Sequence, residues 1–463
     1  MPGGATSQPR QLTLYDSLPN RSEAGNIPTP TNSSMPSASR SDWTLGYCTN
    51  IHPGIEVDAI CKNLNTVSAE VARRREQASG PLGVGLWIPH AASVELRRHG
   101  MPPLEEAVGQ NSLLAYTVNG FPYDDFHGDR VKHAVYQPAW WHDERVGYTR
   151  DLAKILGELL PEGMTTGTIS TLPLGWPRQI DELESTETNP VWRDVTEDEL
   201  HHAGTNFRRL AEDLRMLENR TGKRIIVAIE PEPGCLLERS EQVVEWFQKQ
   251  LPDPTHRRYI GVCHDVCHSA VMMEDQRETL RRYAVAGIVL GKVQISSAIV
   301  ADWNSVEPSD HPAVLEQLRS FAEDRYLHQT GRRTANGRFE MAEDLPELLD
   351  ATASTPIKDE RWVVHFHVPV FLEKFGLLKT TRNEIAEALD AVEQLSAPLA
   401  KGSRSTRSVL EFSGHLEVET YAWSVLPDSQ RTGPLAIDDS MSREEAMARD
   451  IAYEIDYVAG LLK

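Results

Sequence analysis

The segment Ile225-Ile226-Val227-Ala228-Ile229-Glu230-Pro231-Glu232-Pro233-Gly234 decides the fold. A short apolar run closed by Pro and Gly reads as a buried strand that ends abruptly. Alternation puts Glu230 on the face of Ile226 and Ala228, so its carboxylate points inward at the strand's end. A carboxylate there is costly unless a cation meets it, and that cation is either an arginine or a metal ion.

Similar runs recur on both sides. Strands are expected at Thr44–His52, Val84–His90, Leu113–Phe121, Thr166–Leu174, Tyr259–Asp265, Ile288–Ser296 and Leu416–Trp423, with a further extended run at Trp362–Val370. Amphipathic helices separate them. Thr196-x-x-Glu199 opens one with Leu200, Ala203, Phe207, Leu210, Leu214 and Leu217 aligned, and Gly222 closes it. Thr381-x-x-Glu384 and Ser442-x-x-Glu445 have the form of two more capping boxes. Helices also fit Val57–Arg75, Val146–Leu160, Ser240–Leu251, Glu274–Val285 and Pro312–Glu323. Strand and helix alternating about eight times point to a parallel sheet closed into a (β/α)₈ TIM barrel. An open doubly wound sheet is the alternative, but no Gly-rich phosphate loop follows any strand.

The totals bound the function. Asp plus Glu number 68 against 47 Lys plus Arg, a balance of −21 that disfavours nucleic acid as the main partner. Five sparse cysteines read as reduced thiols. No apolar run has the length of a membrane span and the N-terminus lacks the build of a signal peptide, so a cytoplasmic location is expected. Residues 1–42, rich in Pro, Ser, Thr and Asn, read as a disordered leader. Residues 43–428 form the expected barrel, with an insertion at about 325–370 before the last strand. Residues 429–463 are a linker and a helix packing on the barrel.

In such a barrel the chemistry collects where strands end. Here those ends carry His52, His90, Asn119, Glu230, Asp265, His268, Gln294, His365, His367, Glu417 and Glu419. Asp265-x-x-His268 can present a carboxylate and an imidazole to one pocket, and Asp, Glu and His together suit Mn, Mg, Co or Zn. A zinc clip from Cys263, Cys267, His264 and His268 is the rival, but alternation sends His264 away from Cys263 and Asp265. His365 and His367 can share one side of their strand. Glu417 and Glu419 would repel if both pointed inward, unless a cation is present or Glu417 turns outward. Glu419 is therefore taken as the functional one. The loop 121–145 is long and aromatic, with Phe121, Tyr123, Phe126, Tyr136, Trp140 and Trp141. It reads equally as a lid or as an insertion packed on its own barrel.

Glu on the fifth strand, Asp-x-x-His on the sixth, a polar residue on the seventh and Glu on the last resemble the metal site of the xylose-isomerase-like barrels. More closely, YCTNIHPG, VNGFPYDDFHG, STLPLGW, EPEPG, RYLHQ, HFHVPVF and LEVETYAWSVLP together resemble the EboE family of metabolite-traffic proteins. The resemblance implies one divalent ion held by Glu230, Asp265, Gln294 and Glu419, where the epimerase pattern has His in place of Gln294. It implies a sugar or hydroxycarbonyl isomerase or epimerase, with Glu230 and Glu419 passing a proton and His268 in the catalytic set. His52, His90 and Asn119 would bind substrate, and His268, His365 and His367 would hold a second metal or the substrate. The expected partner is a small polar metabolite, with homo-oligomerisation as a further option. Two alternatives stand beside this reading: a non-catalytic metabolite-handover protein on the same barrel, and a metal-dependent phosphoester hydrolase.

Overall fold

The computed structural model describes residues 39–76, 80–125, 127–128, 131–180, 191–352, 357, 360–398, 408–420, 436 and 440–463. Residues 1–38 of the leader expected at 1–42, Phe126, and the end of the last expected strand beyond Thr420 lie outside them, whereas Arg40–Asp42 form a 3-10 turn with Arg40 paired to Asp390 and Glu393.

Eight parallel strands close into a barrel. They are β1 (Thr44–Cys48), β2 (Leu82–Trp87), β3 (Leu113–Asn119), β4 (Thr166–Thr171), β5 (Arg224–Ile229), β6 (Ile260–Asp265), β7 (Leu290–Ile295) and β8 (His415–Val418). Each pairs with its neighbours in sequence, and β8 closes on β1. The (β/α)₈ barrel expected from the alternating pattern is thus formed. Register aligns Asp265 with Gln294, Gln294 with Glu417, and Glu417 with Gly46 across neighbouring strands.

The helices follow their local signals in two cases and not in a third. Thr196 and Glu199 form their reciprocal capping box, and Gly222 ends that helix in the left-handed region at φ 72°. Ser442 and Glu445 do the same at Arg443–Leu461. Thr381 makes no side-chain cap on Arg382–Ser396. Its hydroxyl instead accepts from the Ala298 amide at 2.8 Å, and Glu384 accepts from Gln276 at 2.8 Å. Tertiary partners took both side chains, so the box did not form.

Between β7 and β8 the chain makes an antiparallel six-stranded sheet, in the order Phe339–Ala342, Thr330–Arg333, Arg361–Val364, Ile299–Asp302, Leu378–Thr380, Lys374–Phe375. This is an insertion before the last strand, and the helix expected at Pro312–Glu323 belongs to it, as His311–Arg319. Its central strand Arg361–Val364 runs straight into His365. Among the described residues no helix is long and apolar enough to cross a membrane.

Candidate metal centre at the barrel mouth

Two polar layers lie inside the barrel. The lower one centres on Lys292, which shares a strand face with Gln294. Lys292 and Glu417 are fully buried and form a short ion pair. Lys292 Nζ also donates to Asn119 Oδ1 at 3.0 Å. Asn119 Nδ2 donates to Glu417 Oε1 at 2.8 Å, and Asn119 Oδ1 accepts from Ser170 at 2.8 Å. Glu417 therefore points inward, with Lys292 as its cation. Gly85 makes room for it, since a Cβ there would stand 1.4 Å from Glu417 Oε1. Burial alone would lower the Lys292 pKa, but Glu417 outweighs it and holds the ammonium charged, above its ordinary value.

The upper layer is different. Glu230 follows β5, Asp265 ends β6, Gln294 lies on β7 and Glu419 follows β8. One oxygen each of Glu230, Asp265 and Glu419 lie within 4.8 Å of one another, all three residues buried. Asn50, just past β1, donates to Glu419 Oε1 at 2.7 Å. Asp265 Oδ1 accepts from the His268 amide and from Ser296, both at 2.8 Å, while Oδ2 is buried without a hydrogen-bond partner. Gln294 Nε2 donates to Asn119 at 3.2 Å, and its Oε1 is also buried without a partner.

Electrostatics follow from this crowding. Burial, reinforced by Glu419 and Asp265, pushes Glu230 well above the usual carboxylate range. Burial with Asp265 and Glu417 beside it pushes Glu419 up to about 8. Burial also works against Asp265, but His268, His367 and its two hydrogen bonds outweigh it and keep it low. Three carboxyl groups with two orphaned oxygen acceptors and no cation of their own are a donor set for a hard divalent ion. The residues expected for that ion fit it. Gln294 offers its carbonyl oxygen, and its amide nitrogen is already committed.

Above this layer an open cleft is bordered by Glu230, Glu232, His268, His365, His367 and Glu419. Asn119, Phe121, Tyr136 and Tyr326 also border it. His268, His365 and His367 converge, with ring centroids 4.7–5.5 Å apart. Burial and the neighbouring imidazoles hold His365 far below its ordinary pKa. Burial, the first cause, also lowers His367, to about 4.

His52 and His90 are not among the cleft residues. His52 bonds the Tyr47 hydroxyl at 3.0 Å, and His90 stacks on Tyr123 at 4.5 Å. His264 turns away to Gln276 at 2.7 Å, so the four-residue zinc clip does not assemble. Cys267 instead approaches His365 and His367. The aromatic loop divides its residues. Phe121 and Tyr136 face the cleft, while Trp140 packs on Phe207 at 3.9 Å and buried Arg145 ties the loop down through the Gly120 and Pro138 carbonyls.

No protein-family model matches this chain, and no curated protein matches it. Among solved structures it is similar to a xylose isomerase-like TIM barrel protein from Mycobacterium smegmatis in complex with magnesium, at 11% identity over 92% of this chain and 98% of that one, with a TM-score of 0.45. It is also similar to D-allulose 3-epimerase from Methylomonas sp. in complex with D-allulose, at 9% identity over 63% and 84% of the two chains and a TM-score of 0.35. An L-ribulose 3-epimerase matches at 13% identity over 61% and 79%, with a TM-score of 0.32. The barrel assignment rests on the strand order and register described above.

Proposed function

We propose that this barrel is a metal-dependent isomerase or epimerase of a sugar or related hydroxycarbonyl. The observation that carries this reading is the convergence of Glu230, Asp265 and Glu419 beside the orphaned oxygens Asp265 Oδ2 and Gln294 Oε1, under an open cleft. Glu230, Asp265, Gln294 and Glu419 would hold a divalent ion (Mn, Mg, Co or Zn), which would supply Lewis-acid polarisation of adjacent substrate oxygens.

The chain's own groups do the rest. Glu230 and Glu419 flank Asp265 and Gln294 in strand order, so a substrate carbon bound between them would meet one carboxyl on each side. One takes its proton and the other returns one. Asn50 holds the Glu419 carboxylate in place, and the Lys292–Glu417 pair supports Asn119 and Gln294 from below. His268 and Asn119 border the cleft where substrate hydroxyls would lie. Phe121, Tyr136 and Tyr326 line the same cleft. The resemblance to EboE sequences suggests that the small metabolite belongs to a traffic or processing step inside the cell.

A second reading, ligand handover without turnover, is favoured by Gln294, a neutral and weaker ligand than an anionic or imidazole one. Hydrogen exchange at the carbon beside the carbonyl separates the two. Ketoses and hydroxycarbonyls are incubated with Mn(II)-loaded protein in deuterated water. Deuterium incorporation that disappears in Glu230→Gln and Glu419→Gln supports the isomerase. Turnover untouched by Glu230→Gln defeats the scheme, and tight binding with no exchange leaves the handover reading.

A further inference from the structure

We propose that the ligand of this cleft is amphipathic. A hydroxycarbonyl head meets the barrel carboxylates, and an apolar body, alkyl or aromatic, lies against Phe121, Val131, Val135, Tyr136, Tyr326 and Leu327. The nature of the head rests on the isomerase reading above. The body is read from the residues that border the rest of the cleft.

The lining divides by origin. Asn50, Asn119, Glu230, His268 and Glu419 stand on the barrel strands or just past them. The six apolar residues belong to the aromatic loop or to the insertion, and none to a barrel strand. They are not scattered. Val131 and Tyr326 share one buried cluster with Trp87, and Val135 packs against it. Phe121 stacks on Tyr136 with ring centroids 5.9 Å apart, and Tyr136 stacks on Trp176 at 5.0 Å.

Polar atoms on this side are committed to other partners. The Tyr136 hydroxyl donates to Glu232 Oε1 at 2.7 Å and accepts from Gln329 Nε2 at 3.0 Å, so Tyr136 offers the cleft its ring. Lys132 also borders the cleft, but its ammonium is paired with Asp344 at 2.8 Å. The Pro122 carbonyl accepts from Trp87 Nε1 at 2.9 Å. A sugar hydroxyl laid on this side would give up water and gain no partner from these groups. An alkyl or aromatic group there gains by leaving water. The two ends of the cleft therefore select opposite chemistries.

Loop and insertion are fastened to each other. The Val131 and Lys132 amides both donate to the Arg325 carbonyl, at 2.8 and 3.0 Å, one residue before Tyr326. Lys132 pairs with Asp344, and His133 Nε2 meets Glu343 Oε1 at 2.8 Å. The apolar side is thus a wall built from two segments before any ligand arrives, which spares the ligand the cost of ordering it. The barrel strands supply the chemistry, and the added segments choose the ligand by its body.

Calorimetric binding of head-matched ketones to the full-length protein in Mn(II) buffer tests this. The probes are erythrulose and its butyl and benzyl ethers at the hydroxyl farthest from the carbonyl. At least one ether should bind roughly 10–100-fold tighter than erythrulose, and the tighter of the two tells chain from ring. Phe121→Ala should cut that ratio roughly 3–10-fold, and Val135→Ser should move it in the same direction. Taking the ratio within each variant cancels any general loss of binding. Deuterium exchange beside the carbonyl is followed with the same ketones. An ether advantage without exchange would uphold the amphipathic ligand and defeat the isomerase reading. Exchange on erythrulose without an ether advantage would uphold the isomerase and overturn this proposal. Binding by none of the ketones, or an advantage untouched by both variants, would also overturn it.

Discussion

Glu417, on β8, and Glu419, just past its end, stand two residues apart, both buried, and their surroundings are opposite. Glu417 sits in a layer where Lys292 neutralises it and Asn119 and Ser170 complete the network. Glu419 sits in a layer with Glu230 and Asp265, where Asp265 Oδ2 and Gln294 Oε1 have no partner. A barrel that can satisfy one polar layer can satisfy the next. Leaving the upper one short of a cation marks it as the place where something binds.

The contrast can be broken most forcefully from below. Lys292→Met strands a buried carboxylate and should cost about 3–5 kcal/mol, read as a lower denaturation midpoint. Gly85→Ala should follow at about 1–3 kcal/mol, because its Cβ would stand 1.4 Å from Glu417 Oε1 and displace it from Lys292. In the upper layer the sign reverses. Glu419→Gln should leave the metal-free protein as stable or stabilise it by about 1 kcal/mol, since it removes a repelled carboxyl rather than a satisfied one.

The pH dependence of stability sharpens the same comparison. Glu419 is raised from its ordinary value to about 8, so the folded metal-free protein holds its proton where the unfolded chain has lost it. Stability contributed by that group is present in acid and falls as pH rises from about 4.5 towards about 8. His415, at the bottom of the barrel, is lowered to about 3 by burial first and by Lys292 second. It packs against Tyr116 and meets Thr168 Oγ1 at 2.9 Å. Its contribution is full above about 6.5 and is lost as pH falls towards about 3. Melting curves across pH should therefore show a shallower alkaline slope in Glu419→Gln, where raised Glu230 remains, and a shallower acid slope in His415→Gln, where lowered His365 and His367 remain. Saturating divalent ion should abolish the alkaline slope in the wild type, because ionised Glu230 and Glu419 are then paired.

Much of this was legible in the sequence because strands carry period-two information. Glu230, Asp265 and Glu419 declared themselves by standing at the ends of apolar runs. The same alternation, applied two residues earlier, places Lys292 beside Gln294 and Glu417 beside Glu419. An isolated lysine in GKVQI carries no local sign of its distant partner Glu417. Glu232 was not readable as a cleft residue with a fixed partner, because that partner, Tyr136, lies 96 positions away in the chain. His52 and His90 were expected at strand ends, but His52 follows a 3-10 turn past β1 and His90 opens the helix His90–His99, and aromatic neighbours hold their rings away from the cleft. Thr381 and Glu384 have the capping spacing, but Ala298 and Gln276 compete for them. Local patterns located the barrel and the strand-end carboxylates, and long-range hydrogen bonds decided the rest.

The central claim is that the upper layer holds a divalent cation, and metal content per chain in wild type and Glu230→Ala tests it most directly. After equilibration with Mn(II) and removal of the excess, elemental analysis should find bound metal in the wild type. Glu230→Ala, folded by circular dichroism, should hold one equivalent less. Equal metal in the two proteins, or none in either, would contradict the account.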